Sequence, residues 1–176
     1  MVSSILGSIS SDQGSYHSAS IFLGFASGQL SVACVRYALL NFYPLVARFP
    51  SYMALNLAKV TDFHFSGVTD TRTWLIQNIK VEERHLYWYQ DWAFGFGLLV
   101  DELDHACPPP AMNAVNHFLW STSYRCTLAE GIAATNLAIE WATSDWTVQV
   151  YKGIINYMNH PDIIINTKTM AWSRAH

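Results

Sequence analysis

Glu82 and His85 stand three residues apart in the run Val81-Glu82-Glu83-Arg84-His85, and on a helix that spacing projects both side chains from one face. A carboxylate and an imidazole so placed can bind a single metal ion. Helical bundles build carboxylate-bridged iron sites from this Glu-x-x-His step, completed by glutamates on facing helices. Iron suits the mixture of ligands, provided open positions remain for dioxygen. The same tetrapeptide also suits a solvated helix surface, where Glu-Glu-Arg is common. Two features favour the inward reading. The pair falls in line with Asn78, Tyr89 and Trp92, and glutamate is scarce, with five in the chain.

Glu140 is the next carboxylate of interest. Its neighbours on the expected inner helix face, Ala133, Ala134, Leu137 and Ala138, are small or apolar. A carboxylate buried among them must be paired, hydrogen-bonded or metal-bound. Glu130, nearly three turns earlier, reads as a salt-bridge partner of Arg125 ahead of any supporting role at a metal. His176, the last residue, is a third candidate. His117 is expected to be a core histidine satisfied by a carbonyl. His64, His105 and His160 fall in presumed loops, and His17 in the chain's opening segment.

The elements that must position these residues are helical. Ile21 to Ala26 reads as a short helix closed by Ser27-Gly28, and Leu30 to Arg48 as a longer one kinked at Pro44. Pro50 suits the first turn of a further helix, Ser51 to Val60. A loop is expected around Phe63 to Gly67. Thr69 or Asp70 then caps a long helix to about Leu99, on which Trp74, Asn78, Glu82, His85, Tyr89, Trp92 and Phe96 share one face. Asp101 to Pro110 reads as a loop. Ala111 to Tyr124, Thr127 to Thr143 and Asp145 to Met158 read as three more helices, and Ile165 to His176 as the start of a last one. No alternating strand pattern bounded by hairpin signals occurs. The expected fold class is all-α.

Composition narrows the function classes. Hydrophobic residues make up 51% of the chain and charged residues 13%, more apolar than an average soluble domain. No window reaches the roughly 20 uninterrupted apolar residues that a bilayer requires. The surplus is therefore assigned to a core and a homodimer face, not to a membrane. The formal net charge is −3 and basic runs are absent, which argues against nucleic acid as a partner. Cys34, Cys107 and Cys126 are few and widely spaced, the pattern of a reducing cytoplasm. Residues 1–17 read as a disordered lead-in and 18–176 as one helical domain.

Three segments carry a resemblance. Asn41-Phe42-Tyr43-Pro44-Leu45, Val81-Glu82-Glu83-Arg84-His85 and Ala129-Glu130-Gly131-Ile132-Ala133 resemble the haem-oxygenase-like diiron oxidases and oxygenases. That superfamily shares its multi-helix bundle with the thiaminase-like TenA proteins and the pyrroloquinoline-quinone synthase C proteins. The likeness runs from about Ser20 to His176. It implies a metal site of Glu82, His85, Glu140 and His176, holding one or two Fe(II) ions. The family pattern continues beyond such a histidine with an aspartate and a second histidine, whereas this sequence stops at His176, so a shortened last helix is expected. Residues 18–60 also contain neither Asp nor Glu, so no carboxylate from a first helix is available.

The implied activity is that of a non-haem iron oxidase or oxygenase using O2 on a small fatty-acid-like or amino-acid-like molecule, or of an inactive remnant of one. Two other readings compete. One is a metal-free TenA-like hydrolase of thiamine-related compounds with Cys126 as nucleophile at a helix start. The other is a degenerate, non-catalytic binding or dimerisation protein.

Overall fold

A computed structural model describes residues 20–61 and 66–175 of the chain. Among these residues there are helices and turns and no strand, as the all-α reading requires. The lead-in at 1–17, most of the loop after Thr61 (with His64) and His176 lie outside the described residues.

Helix α1 spans Ser20–Ala26. Helix α2 spans Val32–Ala58, capped by the Ser31 hydroxyl, which accepts from the Cys34 amide. The expected break before Ser51 is absent: α2 runs on through both Pro44 and Pro50. An interior proline removes a backbone hydrogen bond and costs about 3 kcal/mol in an isolated helix. Here a long buried face including Leu39, Tyr43, Val46, Phe49, Tyr52 and Met53 offsets that cost. Tertiary burial overrides the local signal that makes Pro50 look like a first-turn residue.

Helix α3 spans Ser66–Gly95. It starts ahead of the expected caps, so Thr69 and Asp70 lie within it. It also ends four residues before Leu99. The stop is a Schellman turn: Gly97 takes φ +79°, Leu98 donates to the Ala93 carbonyl at 3.1 Å and Gly97 to that of Phe94 at 2.8 Å. A short helix α4, Val100–Asp104, occupies part of the expected loop. Helix α5 is Pro110–Arg125, with Pro110 at its first turn.

The last long rod is where the reading from sequence departs furthest. Helix α6 (Leu128–Ile132) passes into a π segment (Ala133–Ile139), then helix α7 (Glu140–Gly153), then a 3-10 turn (Ile154–Tyr157). No break occurs at Ser144-Asp145. Polar side chains on the rod bond along it instead: Thr147 donates to the Thr143 carbonyl at 2.8 Å, while Trp146, Thr147 and Val150 are buried. The expected last helix shrinks to α8, Ala171–Ala175. Ahead of it Asn166 and Thr169 make a side-chain-stabilised turn, with the Asn166 carboxamide accepting from the Lys168 and Thr169 amides.

Helix α2 is the spine, packed along α3 and α5, while α1 lies on α7 and α8 sits against α3 and α7. One core cluster joins α1, the first half of α2, the second half of α3, α7 and Trp172 of α8. A smaller one joins Leu45, Phe49, Tyr52 and Met53 of α2 to Leu119 and Ala134. The segment leading to α8 is fixed by a close approach to α3. Ile164 donates to the Gly95 carbonyl at 2.8 Å, and a Cβ on Gly95 would come within 2.6 Å of the Ile164 oxygen. Lys168 adds an ion pair to Asp91 at 2.9 Å. Together these seat Trp172 in the core.

Candidate functional site

On α3 the expected inner face is real from Glu82 onward. Glu82, His85, Tyr89, Trp92 and Phe96 are all buried, while Glu83 and Arg84 face solvent. Trp74 does not belong to it. It is 41% exposed, and Leu75 takes the inward position. The Glu82 carboxylate lies 3.1 Å from His85 Nδ1. With Nδ1–H donating, that contact fixes the ring's tautomer and orientation.

Glu140 reaches the same place from the opposite side. It opens α7 directly after the π segment, whose wider turn moves the following residues off the phase of an ordinary helix. The expected apolar face of this rod is corrected accordingly: Ala133, Leu137 and Ala138 are exposed, and Ala134 and Thr135 are buried. Thr135 holds the segment in place. Its hydroxyl donates to the Gly131 carbonyl at 2.9 Å and accepts from Asn56 of α2 at 3.3 Å.

Glu82 and Glu140 both line a small cleft of about 30 Å³, walled by Phe42, Val46, Phe49 and Trp172 among others. That volume has room for a water-sized guest. They also border an outer groove with His85, Asn78, Asn136 and Ser144. Ala175, the neighbour of His176, lines this groove too, while His176 itself lies outside the described residues. Burial raises the Glu140 carboxyl to about 8, and the negative charge of Glu82 adds to the shift. Among the described residues Glu140 has no hydrogen-bond or ion-pair partner.

Several expectations for other residues need correction. Glu130 is not paired with Arg125. It closes a capping box with Thr127, accepting from the amide at 2.8 Å and the hydroxyl at 2.7 Å. The Thr127 side-chain bond is the main reason its carboxyl sits below the ordinary range. His117 is exposed on α5, not a core histidine. Cys126 caps the end of α5 instead of starting a helix, is exposed, and lines neither the cleft nor the outer groove. His105 and His160 are exposed, as expected.

Trp172 had no signal in the sequence, yet it is 2% exposed and closes the cleft. It stacks on Trp92 at 5.1 Å, meets Tyr89 edge-on at 5.3 Å and leans on Trp146 at 5.3 Å. Such rings exclude water from one side of the carboxylates.

The residues present fit an iron ion in donor type and charge. Two carboxylates face one desolvated cleft and repel each other, and the His85 imidazole joins them only along the outer groove. Among the described residues no group of three or more His, Cys, Asp or Glu side chains is gathered closely enough to hold a metal.

Comparison with known proteins agrees with this architecture. A TenA homolog from Pseudomonas syringae pv. tomato str. DC3000 superimposes with a TM-score of 0.86 at 27% identity, covering 99% of this chain and 71% of that one. No curated protein matches the chain. The model of a family described as iron-containing redox enzymes matches residues 36–176, a stretch that includes Glu82, His85 and Glu140. The chain belongs to this family of iron-containing redox enzymes, built on a haem-oxygenase-like, TenA-like helical fold.

Proposed function

We propose that the chain is a non-haem iron-dependent oxidase or oxygenase that uses O2 on a small organic substrate. The observation that supports this reading is that Glu140 shares a small cleft with the buried Glu82, His85's partner, where burial and a like charge raise the Glu140 carboxyl to about 8. A second carboxylate placed there is unfavourable alone and favourable beside a cation. Glu82, His85 and Glu140 would hold Fe(II), with His176 as a fourth ligand supported by the position of Ala175 on the groove rim. Iron in such a site supplies one-electron chemistry towards dioxygen. The chain's own contributions are separate. Glu82 orients the His85 ring, Trp172 and Phe49 keep water from the cleft, and the outer groove gives solvent-side access. A cytoplasmic homodimer belongs to the same reading, supported by free exposed cysteines and by Phe118, Trp120 and Tyr124 exposed on α5.

Anaerobic titration with Fe(II) tests the site. Stoichiometric binding is expected in the natural chain, with affinity lowered by Glu82→Ala and by His85→Ala. Equal affinity in all three proteins overturns the reading.

A metal-free TenA-like hydrolase is the second reading, favoured by the TenA-like fold. Its nucleophile would be Cys126, which lies at the end of α5 away from the cleft linings. Activity lost on alkylating Cys126, with no need for iron, would support it.

A further inference from the structure

Phe42 has two sides. One borders the cleft beside Glu82 and Glu140, and the other borders a much larger cavity of about 320 Å³. That volume is at the small end of ordinary ligand pockets, roughly 300–1,000 Å³. The walls come from α1, α2, α3, the start of α5 and α7. Phe22, Phe42, Tyr89, Trp92 and Trp146 supply the aromatic surface. Of the α3 face named from sequence, Tyr89 and Trp92 line this wall and Phe96 does not.

The lining is chemically selective. Among the described residues it contains no Asp, Glu, Lys, Arg or His, so a charged group entering it would be buried without a partner. The polar atoms of the wall are mostly committed already. Tyr89 donates to the Leu39 carbonyl at 2.9 Å and Asn41 to that of Tyr37 at 2.8 Å. The Trp92 indole N–H has no hydrogen-bond partner among the described residues, but that atom is itself buried and presents no surface to a guest. Ile21 and Tyr37 are exposed where they border the cavity, which leaves an approach from solvent. An apolar space of this kind favours apolar guests.

We infer that this cavity binds an uncharged, largely hydrocarbon molecule. That this molecule is the substrate of the iron site rests on the proposed function and on the wall shared through Phe42. The binding itself needs no metal.

Calorimetric titration of the metal-free protein with 1-octanol and with octanoate near pH 8 tests the assignment. Saturable octanol binding is expected, with octanoate weaker by roughly ten-fold or more. Ala38→Phe and Ala111→Leu each fill the cavity from a partly exposed or exposed lining position and should abolish octanol binding at an unchanged or higher Tm. Absence of saturable binding, equal binding of octanoate, or octanol binding untouched by both filling variants overturns the inference. His85→Ala separates the two proposals: octanol binding should survive there whatever happens to iron, and its loss would count against an independent cavity. Fe(II) affinity measured with and without saturating octanol tests the substrate link, since coupled sites must shift each other. An identical affinity overturns that link alone.

Discussion

Helix α3 and the rod from Leu128 to Tyr157 each bring a carboxylate to one cleft, by different means. Helix α3 is regular, so residues three and four apart stay on one face, and Glu82, His85, Tyr89 and Trp92 are buried together. The rod carries a seven-residue π segment, and the residues an ordinary helix would bury, Leu137 and Ala138, are exposed. Periodicity therefore places side chains in α3 and misplaces them in the rod. The extra backbone at a π segment is a recurrent feature of functional sites, and here it immediately precedes Glu140.

The difference can be tested from both sides. Trp172 packs against Trp92 of α3 and Trp146 of the rod, so Trp172→Ala should cost the most, about 3–5 kcal/mol in urea unfolding. A loss below about 1 kcal/mol would mean that the two regions do not depend on this ring. Deleting Ala138 should convert the π segment towards regular helix and turn Glu140 out of the cleft. Fe(II) affinity should then fall by roughly 10- to 100-fold, with helical circular dichroism retained. Unchanged affinity would remove the π segment from the site's construction.

A smaller effect concerns pH. Glu140 rises from 4.5 to about 8 in the folded chain, so the folded state holds this proton more tightly than the unfolded one. Stability of the metal-free protein should be complete below about pH 4.5 and decline as pH climbs to about 8. Allowing for solvent screening, the loss is on the order of 2 kcal/mol. Glu140→Gln should flatten that part of the profile, and an equally steep variant would assign the slope elsewhere. The smallest effect belongs to the rod's entry, where Thr127→Ala removes the hydroxyl half of the capping box and should cost about 1 kcal/mol. Chemical denaturation with no measurable change would make the cap irrelevant to the rod.

Much of the fold was readable where a local rule and the tertiary packing agree. The all-α class, the short first helix, the helix expected from Ala111 and the inner face of α3 follow from apolar spacing, proline placement and the absence of strand patterns. The misreadings share a cause. Pro50 and Ser144-Asp145 carry strong local signals to stop a helix, and both lie inside continuous ones. In each case a long buried face outweighs a local penalty of a few kcal/mol at most. Glu130 and His117 were misplaced because sequence spacing does not distinguish a cap from an ion pair, or a core histidine from a surface one.

What the sequence determined by itself was the pairing of Glu82 with His85, because their separation on a regular helix fixes their geometry. It also singled out Glu140 as an acidic residue needing a partner. Only the tertiary structure decided that Glu140 shares a cleft with Glu82, that Trp172 closes that cleft and that Phe42 lines both it and an apolar cavity. These depend on a π segment pinned by Thr135 and Asn56, and on a chain segment held against Gly95. Both are contacts between residues far apart in the chain, and no local spacing encodes them.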